Sequence, residues 1–428
     1  MTTSKRPIGI DLFAGAGGLS LGFEQAGFDV VASVEIDPVH AAVHEFNFPK
    51  CVSICESVVA LTGDEIRKRA SIGQQDVDVV FGGAPCQGFS LIGKRALDDP
   101  RNSLVKHFVR LVVELQAKSF VFENVKGLTL GAHRAFLDEL IESFKQNKYD
   151  VQEPYKVLNA ADYGVPQDRK RLFIVGVRRG LRLPLYPETL PAVTVQDALS
   201  DLPNVDLYPE LLKADTARVK FGKASEYARK LRGLSFDSTD YSYPRLTDPK
   251  LMTSSLRTEH TDKSRERFHS TPHGKIEPVS RFYKLRLDGV CNTIRAGTDS
   301  ARGAFTSPRP IHPLWPRVIT VREAARLHSY PDWFRFHVTK WHGFREIGNS
   351  VPPLLARSVA AAIMRAIRKT PNKPTTVLEL GDEKLLKFDM SNASRYFFLK
   401  AIPISTRRRF LSKDQLILAL PKDESKYA

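Results

Sequence analysis

The run "GGAPCQGFS" at 82–90 holds one cysteine, Cys86, behind a proline and among three glycines, directly after an apolar stretch. Glycine lets a backbone come close to a ligand and proline stiffens the approach, so this thiol reads as presented rather than packed. The bland role of a free cysteine is that of a small buried hydrophobe. Three further groups argue against that role. "SFVFEN" at 119–124 ends an apolar run on Glu123 and Asn124, where a carboxyl would be costly if it were only structural. "QDRKR" at 167–171 sets Arg169 and Arg171 two apart, on one face of an extended strand. "AGAGG" at 14–18 supplies Gly15, Gly17 and Gly18 for a tight strand-to-helix turn, with Glu35 ending the next apolar run. A thiol, a carboxyl and two guanidiniums suit nucleophilic catalysis. Sulfur forms the covalent bond, the acid holds or donates a proton, and the cations favour the thiolate and fix a polar substrate. A dinucleotide fingerprint would need a third glycine at position 20, which is Ser20, so hydride transfer is disfavoured.

The elements that must position these groups alternate along the first ~180 residues. "IGIDLF" (8–13), "DVVASVEID" (29–37), "DVDVVFGG" (76–83), "SFVFEN" and "RLFIVGV" (171–177) read as strands. A helical pattern runs from the glycine turn to about Ala26. Others are marked by Leu104, Phe108, Leu111, Val112 and Leu115, and by Phe136, Leu137, Leu140, Ile141 and Phe144. Strand–helix alternation predicts right-handed crossovers and a parallel sheet, with ligands at the carboxyl ends of its strands. The glycine turn, Glu35, Cys86 and Glu123 all fall at such ends.

In this order the segments resemble the motif set of the DNA (cytosine-5)-methyltransferases. "DLFAGAGGLSLGF" (11–23) and "EIDP" (35–38) are similar to its cofactor motifs, "GGAPCQGFS" to the nucleophile motif, "ENV" (123–125) to the acid motif and "QDRKR" to the arginine motif. "RVITVREAARLHSYPDWF" (317–334) and "GNSVPPLLA" (348–356) are similar to the last two. The resemblance implies an α/β fold: a Rossmann-like S-adenosylmethionine-dependent methyltransferase domain with a mostly β or irregular target recognition domain. It places the catalytic domain at 1–183, the recognition domain at 184–345, a helix returning to the catalytic domain at 346–369, and an extension of no assigned role at 370–428. Cys86 is then the nucleophile that adds to carbon 6 of a flipped-out cytosine, Glu123 the acid at ring nitrogen 3, and Arg169 and Arg171 the groups that fix the base. S-adenosylmethionine, the implied cofactor, is met by Phe13, Gly15, Ala16, Gly18, Leu19, Glu35, Ile36, Val58, Pro85, Leu104, Asn349 and Val351. The stretch 86–104, with Lys94, Arg95 and Arg101, resembles the loop that closes over DNA. One departure stands out. The third motif usually carries an Asp toward the adenine amino group, whereas "CESVVALTGDEI" (55–66) has Ser57 there beside Glu56, leaving open which of the two meets the adenine.

Bulk properties agree. The 428 residues are 42% hydrophobic and 26% charged, as in an ordinary soluble protein of two or three domains, and the formal charge of +16 favours a polyanion. "MTTSKRPIGI" lacks a signal-peptide core and no apolar run would span a bilayer, which predicts a cytoplasmic protein at the nucleoid with no membrane partner. The four cysteines show no metal-ligand spacing, so no metal is expected. From Lys213 to Arg286 there are 17 Lys or Arg against 9 Asp or Glu, a net of +8, interleaved with aromatic residues. Its place between the arginine motif and "REAARLHSYPDW" matches the recognition domain for double-stranded DNA, with "TIRAG" (293–297) resembling its closing element. Thr320 and Glu323 predict a capping box, Pro331 the end of that helix, and Pro352 and Pro353 the first turn of the next. In the extension "RYFFLKAIPI" and "QLILALP" read as strands. The expected function is methylation of cytosine carbon 5 in a specific DNA sequence by a monomer, as host protection in restriction–modification. An RNA methyltransferase or a solitary regulatory enzyme is the alternative.

Overall fold

Each apolar run read as a strand in the first ~180 residues forms one in the computed structural model, which describes residues 6–85, 103–129, 133–297 and 309–400. These are β1 (Ile8–Leu12), β2 (Asp29–Val34), β4 (Val79–Gly82), β5 (Ser119–Val125) and β8 (Lys170–Arg178). Three short strands with weaker patterns join them: β3 (Val52–Ile54), β6 (Tyr149–Val151) and β7 (Lys156–Asn159). The sheet runs β3-β2-β1-β4-β5-β8-β6, with β7 also on β8. Its first five strands are parallel, as expected. The last three are not: β8 runs antiparallel to β5, β6 and β7. The physical reason is the connection. A parallel pair needs a crossover of a dozen or more residues, but only residues 160–169, opening with the 3-10 turn Ala160–Tyr163, separate β7 from β8, so the chain doubles back.

That reversal serves the site. Because β8 runs backwards, its first residues lie beside the end of β5, with Arg171 opposite Val125 and Phe173 opposite Glu123. A parallel strand would start at the opposite edge of the sheet. The order also reverses between β1 and β4, which places a crevice where the glycine turn and the cysteine loop leave the sheet.

Helices cover both faces. α1 (Gly18–Gln25), α2 (Pro38–Asn47), α3 (Gly63–Arg69), α4 (Ser103–Glu114) and α5 (His133–Gln146) follow the alternation. One core joins Ile10, Leu12 and Phe122 to Phe108 and Phe144; the other joins Phe23 and Phe81 to Ala356, Ala360 and Ile363. The second core continues into residues 184–345, through Leu199, Leu231, Ile294, Leu327 and Phe334.

Residues 184–345 are irregular chain with short helices: α6 (Val195–Leu199), α7 (Glu226–Leu231), α8 (Asp262–Ser270) and α9 (Val321–Leu327), while α10 (Lys340–Asn349) crosses the expected boundary. The one β pair described there is two residues a side, β9 (Ala217–Arg218) and β10 (Leu251–Met252). Its interior includes buried ion pairs, Arg317 with Glu323 at 2.7 Å and Arg326 with Asp201 at 2.9 Å. The Thr320–Glu323 capping box forms, and Pro353 opens α11 (Pro353–Ala366), which lies along α1.

Past α11 the chain runs back over α2. Gly381 N–H donates to the Phe46 carbonyl at 2.8 Å, and Leu385 and Leu386 pack on Ala42, Val43 and Phe46. The strand expected from Arg395 begins instead inside helix α12 (Met390–Tyr396), started by the Asp389 carboxylate accepting from Asn392 N–H. Local capping outweighs β-propensity there. "QLILALP" lies outside the described residues.

Candidate active site

A cavity of about 620 Å³ opens at the crevice where β1 and β4 end side by side. The turn after β1 forms one wall. Phe13 holds a left-handed φ of 65°, uncommon for an aromatic residue and typical of backbone held in place for function. α1 packs so close to the chain after α10 that a Cβ on Gly18 would lie 2.5 Å from the Val351 carbonyl oxygen, which is why glycine stands there. Glu35 ties this wall to β2: its carboxylate accepts from Gly15 N–H at 2.7 Å and from Asp37 N–H at 2.8 Å. Burial raises its pKa. All twelve residues expected to meet a cofactor, from Phe13 to Val351, line this cavity.

The third-motif segment also lines it. Glu56, on the lining, pairs with Arg69 at 2.8 Å, and Ser57 Oγ accepts from Val59 N–H at 3.3 Å. Neither arrangement reproduces an acceptor dedicated to the cavity.

At the far end Glu123, 8% exposed, stands on β5 with Oε1 3.0 Å from Arg171 Nε. Burial raises the Glu123 pKa, opposed by Arg171 and then Arg169. Burial likewise lowers the Arg171 pKa, and Glu123 opposes that shift. The acid abuts the stem of the cysteine loop: a Cβ on Gly83 would fall 2.4 Å from Glu123 Oε2. Asn124 fastens the same stem, its Nδ2 donating to the Ala84 carbonyl at 3.1 Å. Cys86 itself, with Lys94, Arg95 and Arg101, lies outside the described residues; Pro85, the residue before it in sequence, lines the cavity.

The arginine pair divides its labour. Arg169 is wholly buried, and its guanidinium donates to the Ile294 carbonyl at 3.0 Å and to those of Gly348 and Ser350 at 2.7 Å each. Those contacts commit it to backbone, and burial drives its pKa well down. Alternation along an extended strand predicts both arginines on one face, yet Arg169 just precedes β8 and binds main chain while Arg171, within it, binds the acid. Next to them Gln167 accepts from Ile294 N–H at 3.1 Å and reaches His328 at 3.0 Å, while Thr293 donates to the Asp168 carbonyl at 2.6 Å. "TIRAG" is thereby docked on "QDRKR", and Thr293, Ile294, Arg295 and Ala296 join the lining.

Sequence reasoning missed several lining residues: Asp37, His40, Arg345 and Glu346 among them. Asp37 caps α2 through Val39 N–H at 3.0 Å. Glu346 had a signal, its three-residue spacing from Asn349 on a helix, which puts both on one face. His40 sits near Glu35 and Asp37 in the chain, but its approach to Glu346 on a distant segment had no local signal.

Part of the basic insert's charge is paired within the fold. Arg265 meets Asp206 at 3.1 Å, Arg267 meets Glu277 at 3.3 Å and Arg286 meets Asp288 at 2.8 Å. Lys284 is buried and donates to the Phe268 and His269 carbonyls. Arg281 is exposed, with no side-chain partner among the described residues. No described helix is long and apolar enough to cross a membrane.

The profile described as C-5 cytosine-specific DNA methylase matches residues 9–365. The chain is 64% identical to the Type II methyltransferase M.XorII of Xanthomonas oryzae pv. oryzae, over 94% of this chain and 95% of that one. It is 32% identical to the Type II methyltransferase M.AgeI of Thalassovita gelatinovora, over 84% and 99%. Among solved structures, a DNA modification methyltransferase encoded within an E. coli prophage superposes with a TM-score of 0.70 at 34% identity, covering 85% of this chain and all of the other.

Proposed function

Because the chain belongs to the C-5 cytosine-specific DNA methylases, we propose how its own residues methylate carbon 5 of cytosine in duplex DNA. The carrying observation is Glu123, buried at the stem of the Cys86 loop and paired with Arg171 across one end of the glycine-walled cavity. Carbon 5 of cytosine is a poor nucleophile. Addition of the Cys86 thiolate at carbon 6 breaks aromaticity and makes carbon 5 enamine-like, so covalent addition divides a hard step. Glu123 holds the proton at ring nitrogen 3 as charge develops, and Arg171 keeps its carboxyl oriented. Once carbon 5 carries the methyl group, loss of its proton to water re-forms the 5,6 double bond and expels the Cys86 thiolate. Both reacting carbons lie inside the base stack, so the nucleotide is flipped out at a cost of a few kcal/mol.

The residues present fit S-adenosylmethionine. A close-packed glycine turn admits the nucleoside, Glu35 offers an acid to the ribose hydroxyls, and buried polar atoms on the lining lack partners among the described residues. When bound there, S-adenosylmethionine supplies an electrophilic methyl group on a sulfonium. Phe13, Gly15, Ala16, Gly18, Leu19, Ile36, Val58, Pro85, Leu104, Asn349 and Val351 surround it. Arg169 acts as a positioning residue that holds residues 294 and 348–350 in place. Residues 184–345 read the target, and 346–369 return to the catalytic domain. The enzyme works as a monomer in the cytoplasm. The Type II names of its relatives favour host protection within restriction–modification.

DNA carrying 5-fluorocytosine at the target tests this reading, since fluorine blocks loss of the carbon 5 substituent. The protein should form a covalent adduct that survives denaturation, and Cys86→Ser should form none. Bisulfite sequencing of plasmid from expressing cells should show 5-methylcytosine at one recurring sequence. Methylation persisting in Cys86→Ser, or methyl transfer to RNA in place of DNA, refutes it.

A further inference from the structure

Glu346 enters the cavity from α10, three residues before Asn349. It is 1% exposed. Its Oε2 accepts from His337 N–H at 3.0 Å, but Oε1 has neither solvent nor a partner among the described residues. The other acids of the lining are engaged: Glu35 by two backbone N–H groups, Asp37 as the cap of α2, Glu56 by Arg69 and Glu123 by Arg171. Beside Glu346, His40 is 5% exposed, with Nδ1 3.8 Å from Asp37 and Nε2 without a partner among the described residues. His40 lies close enough to both Glu35 and Glu346 to favour the ionised form of each, so the two acids flank one imidazole. Burial pushes the Glu346 carboxyl up to about 7. An unpartnered buried carboxylate oxygen is rare in a folded protein, and a cation placed against it would remove the cost.

S-adenosylmethionine has three chemically distinct parts: a nucleoside with a neutral diol, a sulfonium and an amino-acid end bearing an α-ammonium. The diol suits Glu35, at the end of β2. The ammonium donates up to three hydrogen bonds and suits an acid with a vacant oxygen. We propose that Glu346 is a cofactor-binding residue whose Oε1 receives the α-ammonium of the cofactor's amino-acid end. This rests on the reading of the cavity as the S-adenosylmethionine site.

Calorimetry of three ligands on two proteins tests it. The ligands are S-adenosylhomocysteine, its analogue lacking the α-amino group, and 5′-methylthioadenosine, which lacks the amino-acid end. The proteins are the full chain and Glu346→Gln, which keeps the shape and removes the charge. Glu346→Gln should bind S-adenosylhomocysteine about 10-fold or more weakly, as loss of a charge-assisted hydrogen bond implies. Its affinity for 5′-methylthioadenosine should be unchanged. The unaltered protein should lose a similar factor toward the des-amino analogue, which needs no variant to fold, and the two losses should not add. An equal loss for both natural ligands in the variant, or full affinity of the unaltered protein for the des-amino analogue, overturns the assignment. If the unaltered protein binds none of the three, the reading of the cavity falls first.

Discussion

Arg169→Met and Arg171→Met should separate stability from chemistry, although the two residues share a motif. Arg169 makes three hydrogen bonds to carbonyls from two segments, and none of its surface meets solvent. Hydrogen bonds to a charged donor are worth ~1.5–3 kcal/mol each. The guanidinium's own desolvation offsets part of that sum. Breaking such a buried cluster from one side costs about 3–5 kcal/mol, a large share of the ~5–15 kcal/mol that keeps a domain folded. Arg171 has one charged partner, Glu123, at the cavity edge, with both side chains about a tenth exposed. Its loss should cost about 1 kcal/mol of stability or less, because Glu123 can take up a proton once the cation is gone. Urea unfolding followed by fluorescence measures the first quantity; single-turnover methylation at saturating DNA measures the second. Arg169→Met should unfold at clearly lower urea, with Tm reduced and cofactor binding weakened as residues 294 and 348–350 loosen. Arg171→Met should keep the urea midpoint and cofactor affinity yet lose ~10²-fold or more in rate, the scale of a misplaced acid. Full stability of Arg169→Met with lost activity would refute this division, since Arg169 would then act on the base directly.

Three other outcomes follow from the geometry. Ser57→Asp should tighten S-adenosylhomocysteine binding by ~0.5–1.5 kcal/mol in calorimetry, because Glu56 is spent on Arg69 and Ser57 on its own turn; weaker or equal binding counts against it. Glu323, buried against Arg317, is held at about 2, below the ordinary 4.5, so its contribution is present above pH 4.5 and lost as pH falls toward 2; at about 3 kcal/mol, it should make wild-type unfolding acid-sensitive over that window and Glu323→Gln flatter, and parallel pH profiles would contradict the assignment. Arg281→Ala should weaken binding to every duplex and lower the salt slope by about one unit, whereas Lys284→Ala should lower Tm instead; unchanged DNA affinity for Arg281→Ala across a salt series would move the contact elsewhere.

The sequence determined five of the eight strands of the main sheet, the glycine turn, the capping box before α9 and the candidates Cys86, Glu123 and Arg171. Each rests on local information: apolar periodicity, turn chemistry, or a polar residue at the end of an apolar run. Arg169 shows where that information stops. Its type and spacing match those of Arg171, and only the arrival of residues 294 and 348–350, more than a hundred positions along, turns it into a backbone clamp. The reversed β8 was equally hidden, because an apolar run has the same pattern in either direction and pairing depends on the connection before it. Most charges of the insert looked free for DNA, but partners such as Asp206 for Arg265 are set by folding rather than by neighbourhood in the chain. Glu346 and His40 converge from α10 and α2, some three hundred residues apart, and no local rule links them. Tertiary structure alone decided which polar groups were left without partners in the cavity, because that depends on what every other segment has already satisfied.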